Sequence, residues 1–510
     1  MPSHTRTEQD QFGSLEIPAD ALYGIHTARA VANFPLSGYR LPAVFIRAYA
    51  QVKLACVRTN ASLGYLSLPM AQALETACKE LADGSHHDQI VVDAFQGGAG
   101  TSTNMNFNEV IANRAAMLMG RAAGSGSGSG SGSDTSIGAG SGSGSDSGSV
   151  SGSDAVHPLH HVNLHQSTND TYPTALKVAV LHELKALEQP VADLQETLQR
   201  KEQAHRNVLR LGRTEMQDAV PLTAGMTFGA WAEAVARDRW RIFKCRERIR
   251  QVNLGGTAVG TGLGAPRDYV LRVTDELRRI TGLKLSRAEN LVDATQNLDD
   301  FVEVSGMLKA CAVNLLKICS DIRLLSSGPA AGLGELRIPA MQTGSTVMPG
   351  KVNPVIPEAV SQAALRIMSN DALAGQVAAL GNLELNQFMP LMAHAMLESL
   401  HLLRQAVILL HTRCIAQAEP DAGRCREHVE SGGALAAVLV PAVGYARAEA
   451  IAQAARDKGI SLAQAAAEDL NMPPEAIAAL LTPERMHQLG YTEETYAAFR
   501  KDNDTKGGKA

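Results

Sequence analysis

Aromatic residues are scarce, at 4% of 510 positions, so large flat side chains cannot fill the core. An Ala- and Leu-rich chain with few aromatics suits helices packed on helices better than sheets. The seven cysteines are an odd number, widely spaced and without a CxxC pair, which fits a reducing compartment better than a disulfide framework. No long apolar run is present: the most apolar late stretch, 434–443, is interrupted by Pro441 and too short to span a bilayer. Blocks of one charge are missing too. The formal net charge is −5 with Lys and Arg scattered, which argues against a nucleic-acid surface or a basic membrane face. The polar N-terminus lacks the apolar core of a secretory signal. These absences predict a cytoplasmic helical protein.

What is present is helical periodicity with interruptions. The start, Met1–Gln11, is polar and expected to fray, and Gly13–Gly38 reads as an irregular, partly extended entry. From Pro42 to Ala82, apolar residues recur at helical spacing (Ile46, Ala50, Leu54, Val57), with breaks near Gly64 and Pro69. A glycine-opened turn at 96–106 precedes a helix expected over Phe107–Gly120. Residues 124–154 are almost pure Gly and Ser and read as a flexible insert without chemistry, since they bury nothing to offset their ordering entropy. Leu176, Val180, Leu184 and Leu187 then make a stripe that Pro190 is expected to kink or end. Long helices are expected over Phe228–Val252, Leu298–Leu325 and Ile356–Leu410, the last broken near Gly381 and Pro390. Shorter helices follow Cys425. With no repeat of 20–50 residues, the reading is an all-α protein with a central long-helix bundle. The expected division is an N-terminal domain at 1–156, the bundle at 157–410 and a small helical domain at 411–510.

One loop, Gly344 to Pro354, departs from this background. It carries two hydroxyls after a glycine, a lone cation at Lys351, an amide at Asn353, and stiffening prolines at 349 and 354. The glycines permit backbone conformations that would let the segment fold over a ligand and reopen. Lys351 has no acidic neighbour in sequence, so its charge is available to an anion. Three other stretches gather short hydroxyls and amides: Gly100–Asn106, Gln166–Asp170 and Gly212–Gln217. Each alone has the composition of a helix cap. Helix N-termini also bind carboxylates, so the two roles are compatible.

Together these blocks resemble the aspartase/fumarase superfamily. The first is Gly97-Gly98-Ala99-Gly100-Thr101-Ser102 with Asn104-Met105-Asn106. The second is His161–Asp170 with Pro173-Thr174, and the third is the 344–354 loop. Ser167-Thr168-Asn169, Asp218–Pro221, Ser326–Pro329 and Val355–Glu358 resemble its aspartate ammonia-lyase branch rather than class II fumarases. The resemblance implies elimination of ammonia from L-aspartate to give fumarate, without cofactor, in a homotetramer whose sites draw on three subunits. By position, Ser345 would be the base. Thr101, Ser167, Thr168 and Thr346 would hold the carboxylate beside the acidic carbon. Asn169 and Thr214 would meet the amino end, Lys351 and Asn353 the other carboxylate, with Met348 lining the substrate.

Such a site answers a chemical difficulty. Deprotonating a carbon beside a carboxylate places a second negative charge on that carboxylate. Pre-aimed donors there contribute on the order of 10²–10³ in rate each, and a general base roughly 10²–10⁴. One position departs from the pattern: Glu215 stands where fumarases and many relatives carry His. Two roles stay open for it, acceptor for a substrate ammonium or member of a structural ion pair. A hydratase or lyase for another substituted succinate is the alternative enzyme, and a silent helical scaffold the non-enzymatic one. His161 and His165 have the i, i+4 spacing of a metal pair but no third ligand in sequence. Gly260–Gly264 lacks the ending of a phosphate loop.

Overall fold

A computed structural model describes residues 4–124, 155–431 and 436–496; the Gly-Ser stretch, apart from Gly124, lies outside them. Residues 1–3 lie outside the described residues; from Thr5 the polar start is ordered, with β1 (Thr5–Asp10) paired antiparallel with β2 (Gly13–Pro18). Its polar side chains have distant partners that composition does not reveal. Arg6 donates to the carbonyls of Ala21 and Tyr23, each at 2.7 Å, and Arg29 holds Asp10 at 2.7 Å. The entry segment also contains α1 (Ile25–Asn33), whose first N–H groups are satisfied by buried carboxylates rather than by a local cap. Glu109 accepts from the N–H groups of Gly24 and His26 at 2.9 Å each, and Glu8 from that of Ile25 at 2.9 Å.

Helices α2 (Ala43–Ser62) and α3 (Leu68–Asp83) break where Gly64 and Pro69 predict. Pro69 sits in the first turn of α3, where its missing N–H costs nothing, and left-handed Gly84 ends it. Helix α4 (Thr101–Leu118) begins six residues before Phe107. Its polar first turns are helical because their amides are paired in the interior: Asn106 accepts from the Val91 N–H at 2.8 Å and donates to the Gln89 carbonyl at 3.0 Å. After a π turn at Pro158–Val162, α5 (Thr168–Ala204) runs unbroken through Pro190. An internal proline costs about 3 kcal/mol. Leu184, Leu187, Leu194 and Leu198, all fully buried, each contribute about 1.5–3 kcal/mol, so packing wins over the break.

The rest follows in order. A hairpin of β3 (Leu209–Thr214) and β4 (Gln217–Thr223) leads to α6 (Ala224–Arg248). Then come β5 (Gln251–Val252), α7 (Arg267–Thr281), β6 (Ser286–Arg287, parallel to β5), α8 (Leu291–Gln296) and α9 (Asp299–Leu325). Strand β7 (Leu336–Arg337) precedes α10 (Val355–Ala379) and α11 (Met389–Arg413), and β8 (Glu419–Pro420) pairs with β7. Shorter helices follow: α12 (Ala422–Ser431), α13 (Ala436–Val443), α14 (Tyr445–Lys458), α15 (Leu462–Leu470), α16 (Pro474–Ala478) and α17 (Pro483–His487).

The chain divides into two compact units: 1–187, 242–309 and 367–401 form the first, and 188–241, 310–366 and 402–510 the second. Helices α5, α6, α9, α10 and α11 share their residues between them. In the first unit, Lys177 of α5 meets Asp300 of α9 at 2.5 Å, and Lys309 of α9 meets Asp371 of α10 at 2.5 Å. Asn370 of α10 donates to Ser399 of α11 at 3.1 Å. In the second unit, Trp231 and Asn314 bridge α6 and α9, through Asp321 at 3.1 Å and Asp238 at 2.8 Å respectively. Thr197 of α5 meets His411 of α11 at 3.0 Å. Each unit is therefore a bundle of the same long helices, and the class is all-α. Among the described residues no helix is long and apolar enough to cross a membrane.

Candidate active site

The 344–354 loop is a clasp in the second unit. The Gly344 N–H donates to the Lys351 carbonyl at 3.1 Å, and the Asn353 side-chain amide donates to the Gly344 carbonyl at 2.6 Å. A Cβ at residue 344 would overlap the Lys351 carbonyl oxygen, so the closure requires glycine. Inside the clasp, Ser345 Oγ accepts from the N–H groups of Val347 at 3.0 Å and Met348 at 2.9 Å. Two backbone donors aimed at one hydroxyl oxygen favour its deprotonated form over its neutral one. Thr346, Met348 and Lys351 are exposed beside it, and Asn353 is half-buried. Asn353 is thus bound first to its own loop.

The second group lies in the first unit, at the N-termini of α4 and α5. Thr101 opens α4 after left-handed Gly100 (φ 93°), and a side chain at 100 would overlap the Tyr172 ring of α5. Ser167 caps α5: its Oγ accepts from the Asn169 N–H at 3.1 Å, while its own N–H donates to Asp170 Oδ1 at 3.0 Å. Thr168 Oγ1 accepts from the Asn104 side-chain amide of α4 at 3.0 Å. Asn169 donates to the Ala258 carbonyl at 2.8 Å. Thr101, Ser167, Thr168 and Asn169 therefore share one packed corner, with two helix N-termini adding partial positive charge. Asp170 anchors it from beneath, accepting from the N–H groups of Gly255 at 3.1 Å and Thr257 at 3.0 Å. Burial pushes the Asp170 carboxyl up to about 7, against the lowering effect of these N–H donors.

A buried lysine under this corner escaped the sequence reading. Lys53 of α2 is fully enclosed, its Nζ 2.6 Å from Asn104 Oδ1, 2.8 Å from Gln166 Oε1 and 3.3 Å from Asn163 Oδ1. The signal was available: Lys53 stands on the apolar stripe of Ile46, Ala50 and Val57, where a charge needs a specific partner. Burial lowers its pKa to about 8.

Thr214 and Glu215 belong to neither group of helix ends. They lie at the tip of the β3–β4 hairpin in the second unit, not in a plain loop. The hairpin went unseen because its two-residue turn is Glu215-Met216, left-handed at both positions (φ 55° and 65°), where Asn-Gly is the usual signal. Left-handed backbone costs a residue with a side chain roughly 1–2 kcal/mol, and such strain gathers at functional sites. Glu215 is exposed, and the structural-pair role finds no partner for it among the described residues. The hairpin stem is fixed by Glu335. Its buried carboxylate accepts from Arg213 at 2.8 and 3.0 Å and lies 2.6 Å from His428 Nδ1 of α12. Burial acts to raise Glu335, but these hydrogen bonds outweigh it and hold the carboxyl below its ordinary range.

Cavity size does not locate this chemistry. A cavity of about 630 Å³ among Leu209, Arg426, Val429, Ser461 and Leu481 contains none of the candidate residues, whereas Thr214 lines a cleft of about 430 Å³ with Trp231 and Asp321. His161 and His165 turn to different partners. His161 Nδ1 accepts from the His157 N–H at 2.8 Å, and His165 Nδ1 lies 2.7 Å from Asn60 Oδ1. The Gly260–Gly264 turn follows the short strand β5, and Gly260 packs directly on the Leu291 backbone.

Two family models match: one described as Lyase over residues 13–369 and one described as Fumarase C C-terminus over 435–488. The chain is 39% identical to an aspartate ammonia-lyase of Helicobacter pylori, covering 94% of this chain and 97% of the relative. It is 41% identical to one from Pseudomonas aeruginosa, with 94% and 97% covered. Among solved structures, a fumarate lyase:delta crystallin from Brucella melitensis superposes with TM-score 0.86 at 41% identity, over 95% of this chain and 99% of that one. A class II fumarase from Schistosoma mansoni superposes with TM-score 0.83 at 28% identity, over 95% and 99%.

Proposed function

We propose, for a chain that belongs to the aspartate ammonia-lyase family of the aspartase/fumarase superfamily, that it is a carbon–nitrogen lyase converting L-aspartate reversibly to fumarate and ammonia. Ser345 takes the proton from the carbon beside the side-chain carboxylate. The freed electron pair passes into that carboxylate and returns to form the double bond as the C–N bond breaks and the amine departs. The observation that carries the base assignment is the pair of backbone N–H groups on Ser345 Oγ.

Thr101, Ser167, Thr168 and Thr346 hold the carboxylate that accumulates charge, while Lys351 and Asn353 hold the other and Met348 covers the substrate. Asn169 and Thr214 meet the amino group, with exposed Glu215 the acceptor for its ammonium form. A glutamate there favours an amino over a hydroxy substrate. The reading assigns every step to side chains of a cytoplasmic homotetramer in which neighbouring copies complete each site, with no nucleic-acid or membrane partner.

The test is direct. Purified protein is incubated separately with L-aspartate and L-malate, and fumarate is followed by its ultraviolet absorbance. Release from L-aspartate is expected. Release from L-malate alone would make the protein a hydratase, and release from neither would leave a scaffold or another amine substrate. Sedimentation velocity at catalytic concentration checks the tetramer.

A further inference from the structure

We propose that Lys53 is a positioning residue that, through the Asn104 amide, fixes the Thr168 hydroxyl as a hydrogen-bond donor toward substrate. This rests on the reading above, in which Thr168 binds the carboxylate that gains charge. An ammonium has donors and no acceptor. Every hydrogen bond of Lys53 Nζ goes to an amide oxygen, Asn104 Oδ1, Asn163 Oδ1 or Gln166 Oε1, while the Tyr49 ring centroid lies 5.8 Å away. The two ends of an amide look alike in shape and are told apart by their partners, so a buried cation orients all three. Their NH₂ ends must then point away from it. Gln166 donates to the Val162 carbonyl at 2.8 Å and Asn163 to the Gln166 carbonyl at 3.2 Å.

Asn104 is the member that reaches the candidate site. With its oxygen on Lys53, its NH₂ donates to Asn163 Oδ1 at 3.0 Å and to Thr168 Oγ1 at 3.0 Å. Thr168 Oγ1 is thereby an acceptor on the inner side. Thr168 is the first residue of α5, so no carbonyl of its own helix lies four residues back to take its proton. Its side-chain hydrogen bond among the described residues is the one it accepts from Asn104. The Thr168 proton is left for a ligand.

Asp170 favours the Lys53 cation from a distance but makes no hydrogen bond to it. Asp170 is occupied by the N–H groups of Ser167, Gly255 and Thr257, and the neighbouring Cys56 thiol is held neutral, burial pushing it up to about 12. A buried ammonium whose hydrogen bonds all go to neutral amides is a costly arrangement. A neutral side chain would fill the same space at lower cost but leave the amides free to reverse. The charge therefore sets a direction: ammonium to Asn104 oxygen, Asn104 NH₂ to Thr168 oxygen, Thr168 proton to carboxylate.

A double-mutant cycle tests the relay. Lys53→Met and Thr168→Val, each near in volume to the original, are each expected to lower kcat/KM about 10²-fold, the scale for one transition-state donor. Their combination should fall no further than the worse single, since both remove the same proton. Multiplying effects would overturn the relay. Asn104→Asp gives a second, independent reading. It is isosteric and supplies Lys53 with a charge partner, although its second oxygen then faces Asn163 Oδ1 where the amide had donated, so the melting temperature is measured alongside. It also turns a carboxylate oxygen toward Thr168, which must then donate inward. A loss at least as large as that of Thr168→Val with an unchanged melting temperature supports the proposal; near-wild-type kcat/KM overturns it, and decides alone if Lys53→Met does not fold. If the wild type releases no fumarate from L-aspartate, the functional reading has failed, and the same cycle is read from calorimetric dissociation constants for fumarate.

Discussion

The corner around Thr168 and the clasp around Ser345 carry complementary halves of the proposed chemistry and are built by opposite means. At the corner, polar atoms are buried, each amide end is assigned by Lys53, and the supporting bonds join residues 51, 110 and 113 positions apart. In the clasp, the bonds are local, Gly344 to Lys351 and Asn353, and apolar side chains face outward, with Val347 82% and Met348 52% exposed. Long-range satisfied networks are costly to disturb, whereas exposed loops with local bonds sit at the low-stability end of a fold. On the proposed mechanism, the difference suits preorganisation at the corner and motion at the clasp. A carboxylate needs its donors in place before charge develops, and a base must arrive after substrate has entered.

The largest effect expected on this contrast is from Ser345→Ala. It should lower kcat roughly 10²–10⁴-fold while changing unfolding free energy by less than about 0.5 kcal/mol, read by fumarate absorbance and denaturant titration. Equal losses in rate and stability would erase the distinction. Gly344→Ala comes next: its Cβ overlaps the Lys351 carbonyl oxygen and opens the clasp, so kcat should fall about 10²-fold through misplacement of Ser345. Gly100→Ala applies a comparable overlap to the corner, against Tyr172 at φ 93°. There the loss should appear as stability, about 2 kcal/mol or more, measured as a lower melting temperature.

The smallest effect concerns the hairpin that presents Thr214. Glu335 has a folded pKa held below that of the unfolded chain. Its stabilisation is therefore complete above the unfolded value, near 4.5, and lost as pH falls through the lower folded one. Glu335→Gln should flatten that acid limb by less than about 1.4 kcal/mol for each pH unit, measured as unfolding midpoints between neutral and acid pH. An unchanged limb would remove Glu335 as the hairpin's anchor.

Much of this was legible without coordinates, and the failures share a cause. The Gly344–Pro354 loop and Ser167-Thr168-Asn169 could be read because their meaning lies in residue types at short spacing. Pro190 misled because its local cost is overruled by leucines buried along α5. The polar start misled because Arg6 and Glu8 find partners beyond their own strand. The β3–β4 hairpin was hidden by a Glu-Met turn that lacks the expected glycine. Lys53 was visible as a charge on an apolar stripe, but nothing in α2 says which amides it meets.

The sequence by itself determined the helical class, the positions of most breaks and the kinds of side chain available for carboxylate chemistry, because periodicity and local residue chemistry act over a few positions. Only the tertiary structure decided which way each buried amide points, where the strained hairpin holds Thr214, and that two backbone N–H groups converge on Ser345. Those depend on the direction of hydrogen bonds, which a residue's identity permits in either sense until a fixed partner in the fold removes the choice.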